Sequence, residues 1–328
     1  MITVTLYTKD NCSLCTQAKQ DLESLQASIP HTLALVNIEE DADLKKSFGT
    51  RVPVVQAGPY VLEAPFDRRK LHMTLAAAHD RAEQLQTDPK YIQRKARGAH
   101  MNTTDKIARF LGRHYLAVLN LLIALYVGLP FLAPVLMNAG YPGLARPIYS
   151  TYGAVCHQMA FRSVFLFGDQ PVYPRAAADM QGLTTYEEAT GLDGEDMWAA
   201  RSFIGNEQVG YKVAFCQRDI AIYSAILLFG LIFAASGRRI RPLHWMLWVA
   251  LGILPIAIDG FSQLLSQIPG FDLWQYREST PQLRILTGAI FGFMTAWFGI
   301  PLLDESFEET RVQTAAKAAR LRGKTKTR

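Results

Sequence analysis

The sequence predicts an α/β domain of soluble type followed by an all-α transmembrane bundle of about four spans. Residues 1–113 alternate apolar and charged side chains, as soluble domains do, whereas four later stretches are almost free of charge. The outer two stretches reach the ~20 residues that a helix needs to cross the hydrocarbon core, and the middle two reach it only with their flanks. The predicted spans are residues 116–137, 218–236, 243–259 and 283–303.

In the α/β domain, residues 1–87, alternating strands and apolar helical stripes predict the order βαβαββα. The first helix places Leu14, Ala18, Leu22 and Leu25 on one stripe. The predicted strands are residues 2–8, 31–38, 52–57 and 60–64, and the predicted helices are residues 13–25, 41–49 and 67–86. This order fits a thioredoxin-type layout.

Cys12 and Cys15 form a CxxC motif where the first strand meets the N-terminus of the first helix. The helix dipole and free N–H groups lower the pKa of a thiol at such a position, and Lys9 adds a positive charge nearby. We therefore expect Cys12 to attack disulfides and Cys15 to resolve the mixed disulfide. A structural zinc ion would need two further ligands, and only His31 is a near candidate. Pro53, at the start of the third strand, would present the preceding backbone to a substrate.

The stretches "LYTKDNCSLCTQAKQDL" and "VNIEEDADLKKSFGTRVPVV" resemble the glutaredoxin-like branch of the thioredoxin superfamily over roughly residues 1–85. The resemblance implies that Cys12 is the nucleophile, Cys15 the resolving thiol and Pro53 a cis-proline. It also makes glutathione a candidate co-substrate. Glutaredoxins usually follow the fourth strand with a Gly-Gly turn that helps to hold glutathione, and this chain has "LEAPFD" (62–67) there.

The basic residues predict how the chain is oriented in the membrane. They cluster in a juxtamembrane linker (88–114), between spans two and three, and in a tail (305–328), whereas the loop 259–282 has one, Arg277. All three clusters fall on one side of a four-span layout, which the positive-inside rule assigns to the cytoplasm. We expect a multi-pass protein of the inner (cytoplasmic) membrane with cytoplasmic N- and C-termini. The opening residues also lack the pattern of a cleavable signal peptide.

Membrane topology also explains the net charge of +5. Arginine and lysine beside a span suit anionic headgroups, so membrane lipid is the partner expected for the basic segments. Segments that bind nucleic acid interleave aromatic residues with basic ones, and the basic tail does not. We therefore expect no nucleic-acid partner.

The outer loop, residues 138–217, joins spans one and two on the far side of the membrane in this topology. Its stretch 149–168 is apolar with scattered polar residues and predicts an interfacial or re-entrant helix. Residues 169–212 are more polar and predict one or two short helices.

Polar residues gather at the outer ends of the predicted spans. Charged groups there are costly and usually paired or functional, so we expect either a polar outer-face site or ion pairs that fix the bundle. The residues of this site are Arg162, Arg218, Asp259, Gln263 and Arg284. The acids and bases available for an ion-pair network are Asp219, Asp259, Arg162 and Arg284.

Cys156 and Cys216 fall on the same side as this polar site and allow three interpretations. They could form a structural disulfide, which suits an oxidising compartment. They could bind a divalent metal together with His157 and Asp219, since these are soft and borderline ligands. They could also form a redox-active pair.

The motifs "CHQMAFRS", "CQRDIAIY", "DGFSQ" and "RILTGAIFG" resemble a bacterial family of small polytopic membrane proteins of unknown function, over about residues 115–303 of a predicted membrane domain at residues 115–304. A Cys-His motif followed by arginine and serine, and a Cys-x-Arg-Asp motif, carry the resemblance. The matching residues are Cys156, His157, Arg162 and Ser163, then Cys216, Arg218 and Asp219. The resemblance implies the fold and the clustering of these residues, without an activity.

These features favour a membrane-tethered thiol–disulfide oxidoreductase with a cytoplasmic CxxC and a polar Cys/His site on the far side. Its partner would be a thiol or disulfide protein, or a small thiol. The alternative is a metal-binding or transport membrane protein, in which the outer Cys/His/Asp site is the functional centre and the CxxC domain is regulatory or reducing.

Overall fold

The computed structural model describes residues 2–268, 270 and 275–326. It divides into two compact units, Met1–Tyr115 with Glu305–Arg328, and Leu116–Asp304. The first contains a mixed sheet with helices, and the second contains apolar helices of membrane-spanning length. The fold class predicted from the sequence is therefore confirmed. Arg328, at the end of the predicted tail, lies outside the described residues.

The first unit is built on a four-stranded sheet. Its strands are β1 (Ile2–Thr8), β2 (His31–Asn37), β3 (Val54–Ala57) and β4 (Tyr60–Glu63), and its first helices are α1 (Ser13–Leu25), α2 (Ala42–Phe48), α3 (Arg68–Gln84) and α4 (Pro89–Gly98). The strand order is β2-β1-β3-β4. β1 runs parallel to β2 and antiparallel to β3, and β4 is antiparallel to β3.

Helix α1 packs its apolar stripe against the sheet beside α3. The buried positions of the helix are Cys15, Ala18, Leu22 and Leu25, spaced three or four residues apart as one helical face requires. Leu14, which the sequence pattern placed on this stripe, is exposed, because Cys15 takes that position one residue later. The second cysteine of the CxxC motif is thus a buried residue of the domain.

The remaining helices include the membrane-spanning candidates. In chain order they are α5 (Thr103–Asn138), α6 (Pro142–Gly153), α7 (Tyr186–Thr190), α8 (Met197–Ser202), α9 (Gln217–Ala235), α10 (Trp245–Ser266) and α11 (Pro281–Lys326). Among the described residues, α5, α9, α10 and α11 are long and apolar enough to cross a membrane. Helix α10 continues to Ser266, past the predicted end at Asp259, because Asp259 and Gln263 are buried and hydrogen-bonded inside the second unit.

The segment between α5 and α9 contains a small antiparallel sheet that the sequence does not predict. Its strands are β5 (Ser163–Leu166), β6 (Gly205–Asn206) and β7 (Gly210–Cys216), in the order β5-β7-β6. The expected interfacial or re-entrant helix over 149–168 is wrong, since α6 ends at Gly153 and β5 occupies the end of that stretch. Ser163 and Phe165 alternate into the interior, as on one face of a strand.

The last part of α11 belongs to the first unit and is an ordered helix. Ala315 and Ala319 join a buried cluster with Tyr7, Leu44 and Val54. Tyr7 in β1 and Val54 in β3 alternate with the strand residues that face α1, so the end of α11 covers the opposite face of the sheet. The predicted basic tail is therefore part of the α/β unit for most of its length.

Part of the basic charge expected to face lipid is paired inside this unit. The Arg109 and Arg113 Nη2 atoms lie 3.7 and 2.7 Å from the Asp41 Oδ2. The Arg311 Nε lies 3.4 Å from the Asp43 Oδ1. These ion pairs connect α2 to the start of α5 and to the end of α11.

Helices α9 and α11 approach each other closely at two glycines of α11. A Cβ on Gly292 would lie 2.2 Å from the Ile222 carbonyl oxygen, and a Cβ on Gly288 would lie 2.8 Å from the Arg218 carbonyl oxygen. Residues four apart lie on one helix face, and small residues at this spacing allow membrane helices to pack at short range. The α9–α11 contact therefore requires glycine at both positions.

We expect Gly292→Ala to lower the free energy of unfolding by about 1–3 kcal/mol, because the added methyl group forces the two backbones apart. The measurement is thermal unfolding of the full chain in detergent micelles. Gly299→Ala on the same helix is the matched control, since a Cβ there meets no atom within 4 Å. Equal stability of the two variants would contradict the close α9–α11 packing.

Candidate functional site

The Cys12 sulfur lies at the N-cap of α1, against the free N–H groups of its first turn. The Cys15 backbone N–H donates a hydrogen bond to the Cys12 Sγ at 3.2 Å. The first turn of α1, which is fully described, contains no acidic residue. A Cys12 thiolate would therefore be stabilised by the helix dipole and by this N–H, with no carboxylate in the turn to oppose it.

The two cysteines of the motif are joined by a disulfide and differ in exposure. Cys15 is 2% exposed, whereas Cys12 is half-buried. The Cys12 sulfur is thus the one that a partner in solution can reach.

Pro53 and Lys9 lie near the end of β1 that leads into this motif. Tyr7 pairs with Val54, so Pro53 comes opposite the last residue of β1. The Val52–Pro53 peptide bond is cis, as the glutaredoxin resemblance implies. Lys9 is exposed in the loop that follows β1.

His31 lies far from the CxxC motif and does not complete a metal site with it. It pairs with Ile2 at the start of β1, whereas the motif follows the other end of that strand. The His31 side chain is buried, and its Nδ1 is 2.7 Å from the Ile29 carbonyl oxygen.

In the second unit, Cys156, Cys216 and Asp219 form a separate cluster. Their sulfur and carboxylate atoms all lie within 4.8 Å of one another. Both cysteines are free thiols, and the Cys216 Sγ is hydrogen-bonded to the Asp219 Oδ2 at 3.1 Å. His157, the fourth predicted metal ligand, is exposed and outside this cluster.

Local structure fixes each member of this Cys–Cys–Asp cluster. Cys216 is the N-cap of α9 and Asp219 lies in its first turn, where the Asp219 N–H points at the Cys216 sulfur at 3.5 Å. Cys156 follows α6, and its N–H donates to the Tyr152 carbonyl at 2.9 Å.

Two buried polar side chains connect the Cys156 segment to β7. The Gln158 Nε2 donates to the carbonyl oxygens of Tyr149 and Ala214 at 3.0 and 2.9 Å. The Lys212 Nζ donates to the carbonyl oxygens of Gln158 and Arg201, both at 2.7 Å. Lys212 is only 1% exposed, and burial lowers its pKa to about 7.

The two thiols differ in acidity because they are hydrogen-bonded to each other. The pKa of Cys216 is raised well above its usual value by its hydrogen bond with Cys156, by burial and by the negative charge of Asp219. The pKa of Cys156 is lowered, mainly by the hydrogen bond from Cys216. The Cys216 proton thus has two acceptors, the Cys156 sulfur and the Asp219 carboxylate.

A buried carboxylate, Glu278, holds a network of arginines in the second unit. The Arg162 Nε and Nη2 donate to its two oxygens at 2.9 and 3.2 Å. Arg284 forms an ion pair with the same carboxylate, and the Arg175 Nη1 lies 3.5 Å away. The Gln263 Nε2 donates to it at 3.0 Å.

Asp259 forms a second carboxylate centre close to the first. It accepts hydrogen bonds from Arg277 Nη2 at 2.9 Å and from Ser279 Oγ at 2.7 Å. Arg218 forms a further ion pair with it. Gln263 joins the two centres, since its Oε1 accepts from the Ser279 N–H at 3.4 Å.

All five residues predicted for the polar outer-face site take part in this network, but its pairing differs from the expected one. Asp219 bonds to Cys216, so the acid that pairs Arg162 and Arg284 is Glu278. The sequence pattern missed Glu278, Arg175, Arg277 and Ser279. A usable signal was present for Glu278, a carboxylate just before the N-terminus of an apolar helix.

Comparison with known proteins assigns a family to each part. Residues 3–76 match the family described as glutaredoxin-like domain (DUF836), and residues 198–298 match the family described as predicted membrane protein (DUF2085). An uncharacterized protein of Methanocaldococcus jannaschii is 26% identical over 202 residues, which cover 59% of this chain and 94% of the relative. No solved structure gives a significant match.

These matches agree with both resemblances found in the sequence, while the cysteine motifs and the bacterial origin of the membrane family stay predictions. The chain therefore joins a region that matches the glutaredoxin-like domain family, residues 3–76, to a region that matches the DUF2085 predicted membrane protein family, residues 198–298.

Proposed function

We propose that this protein is a membrane-tethered thiol–disulfide oxidoreductase whose glutaredoxin-like domain uses Cys12 and Cys15. The supporting observation is the accessible Cys12 sulfur at the N-terminus of α1, joined to a buried Cys15. A glutaredoxin-like domain supports thiol-based partners in general. The substrate class proposed is a disulfide-bonded protein or a small-molecule disulfide.

The reaction begins with the reduced motif. The Cys12 thiolate attacks one sulfur of the substrate disulfide, and the other substrate sulfur leaves as a thiolate. Cys15 then loses its proton and attacks the Cys12 sulfur, which releases the first substrate sulfur as a thiolate. Two electrons have passed to the substrate, and the motif is left as the Cys12–Cys15 disulfide.

A small thiol of the glutathione class is the proposed reductant. One thiolate opens the Cys12–Cys15 disulfide and forms a mixed disulfide on Cys12, and a second thiolate then attacks that mixed disulfide. The products are the reduced motif and one oxidised small-molecule disulfide. Lys9 supplies positive charge beside the site, and Pro53 places its backbone at the end of β1 for contact with the incoming thiol.

The location proposed for this chemistry is the cytoplasmic face of the inner membrane. Basic residues flank the candidate spans on the side of the glutaredoxin-like domain, as in Arg109 and Arg113 before the first apolar stretch. The positive-inside rule assigns that side to the cytoplasm. Cytosolic thiols are kept reduced, so a reductant is available there.

We expect Cys12→Ser to abolish disulfide exchange by the full-length protein, because the attacking sulfur is lost. The measurement is reduction of a fluorogenic disulfide in the presence of glutathione. Gln20→Ala, an exposed change on the same helix, is the matched control and should keep the wild-type rate. Wild-type activity in Cys12→Ser would exclude Cys12 as the nucleophile.

Cys15→Ser should instead trap the mixed disulfide, because the resolving thiol is absent while Cys12 still attacks. Non-reducing electrophoresis and mass spectrometry would then find substrate attached to Cys12. Adduct formation at another cysteine, with Cys12 unmodified, would contradict the proposed order of attack.

Cys12 should react with a membrane-impermeant maleimide in inverted inner-membrane vesicles and not in intact spheroplasts. The background is Cys15→Ser with Cys156→Ser and Cys216→Ser, which leaves Cys12 as the sole thiol. The matched control lacks Cys12 and carries Glu207→Cys instead, at an exposed turn of the predicted outer loop (138–217), and should show the opposite pattern. Labelling of Cys12 in spheroplasts would reverse the proposed orientation.

A further inference from the structure

We propose that Cys156, Cys216 and Asp219 form a binding site for a borderline-soft divalent cation of the Zn²⁺ type. The site is separate from the CxxC motif and needs no part of it. Its ligands are two cysteine sulfurs and one carboxylate oxygen, all within 4.8 Å of one another.

The spacing of these atoms fits a tetrahedral ion. Zinc bonds of about 2.3 Å to sulfur and about 2.0 Å to oxygen give ligand-to-ligand edges of about 3.8 Å for two sulfurs and about 3.5 Å for sulfur and oxygen. The 3.1 Å between Cys216 Sγ and Asp219 Oδ2 is a hydrogen-bond distance, and it opens slightly when a metal replaces the proton. Small side-chain movements therefore suffice for binding.

The chemistry of the ligands selects the class of metal. Magnesium and calcium prefer oxygen ligands only, and two thiols disfavour them. Copper(I) prefers soft sulfur ligands, and the hard carboxylate of Asp219 would be a poor third ligand for that ion. Two thiolates with one carboxylate suit zinc, which accepts sulfur and oxygen in the same site.

The turn at the start of α9 supplies two ligands in one chelate. Cys216 is the N-cap and Asp219 is the third residue of the helix, so both side chains converge at its first turn. This Cys-x-x-Asp arrangement resembles that of Cys12 and Cys15 on α1, with a carboxylate in place of the second sulfur. A disulfide cannot form within this turn, whereas a metal chelate can.

Cys156 is held opposite this turn by side chains that are themselves buried. The Gln158 side chain, two residues after Cys156, donates a hydrogen bond to the Ala214 carbonyl of β7. The Lys212 Nζ, from the same strand, donates a hydrogen bond to the Gln158 carbonyl. Gln158 and Lys212 are 4% and 1% exposed. Buried polar groups are costly unless they have partners, so this connection fixes the third ligand in place before any ion binds.

The local charge also suits a bound cation. Two thiolates and one carboxylate around a divalent ion leave one negative charge. Burial lowers the pKa of Lys212 to about 7 and the Cys156 charge opposes that shift, so the Lys212 ammonium, when protonated, offsets this negative charge. Cys216 and Asp219 are only half-buried, so a water molecule or a substrate can reach the fourth coordination position.

The test is zinc binding by the full-length protein in detergent micelles. The background is Cys12→Ser with Cys15→Ser, so that the CxxC thiols cannot bind metal. After reduction, zinc loading and desalting, we expect inductively coupled plasma mass spectrometry to find about one zinc ion per chain. Cobalt(II) loading should give a thiolate-to-cobalt charge-transfer band, which reports sulfur ligation directly.

Cys216→Ser, Cys156→Ser and the isosteric Asp219→Asn should each weaken zinc binding by more than about tenfold. His157→Ala is the matched control, since this exposed neighbour lies outside the cluster, and it should bind zinc as the background protein does. The thermal unfolding midpoint without metal verifies that each variant is folded.

Three results would overturn the proposal. The first is a reduced, folded background protein that takes up no zinc. The second is unchanged binding in both folded Cys216→Ser and folded Asp219→Asn. The third is loss of binding in His157→Ala. A Cys156–Cys216 disulfide in the isolated protein, found together with no zinc uptake after reduction, would assign the pair to disulfide formation instead.

Discussion

The buried carboxylate of Glu278 is the charge around which separate parts of the second unit are paired. An ionised carboxylate away from water is costly, and it persists only where charged partners surround it. Arg162 from the segment between α5 and α9 and Arg284 from α11 both bind this one group, and Gln263 of α10 binds it as well. Three separate parts of the chain are therefore joined at one side chain.

The same carboxylate connects to the segment between α5 and α9 through Arg162. Arg162 precedes β5, and Ser163 at the start of β5 pairs with Cys216 in β7. The Gln217 Nε2 donates to the Ser163 carbonyl at 3.0 Å, so the first residue of α9 is hydrogen-bonded to β5. The residue next to Arg162 is thus paired with Cys216 of the Cys–Cys–Asp cluster, which connects the charged network to that cluster.

Local patterns predicted the parts of the structure that local physics decides. The strands and helices of the glutaredoxin-like domain follow from apolar periodicity, and the position of Cys12 at a helix N-terminus follows from the strand-to-helix order. The four apolar helices follow from their hydropathy. The assignment of Leu14 to the core failed by one residue, because a cysteine is buried as readily as a leucine and the stripe pattern fits either position.

Pairing over long distances in the chain could not be predicted in the same way. Arg162 and Glu278 are 116 residues apart, and no periodicity connects them. Polarity at the span ends did identify five members of the network, but the choice of partners depends on how the helices pack. The small sheet was missed for a related reason, since β6 has two residues and its strand pairing is visible only in three dimensions.

The two cysteine sites show how one local geometry can support two chemistries. Cys12 and Cys216 are both helix N-caps, and each sulfur faces the N–H of the residue three positions later. On α1 that residue is Cys15, so the turn closes as a disulfide. On α9 it is Asp219. The hydrogen bond with Cys156 and burial raise the pKa of Cys216, and the negative charge of Asp219 adds to that shift and opposes a free thiolate. A cation would reverse this effect, because it favours both the thiolate and the carboxylate. The residue at the third position of the turn therefore separates a site suited to disulfide exchange from one suited to metal binding.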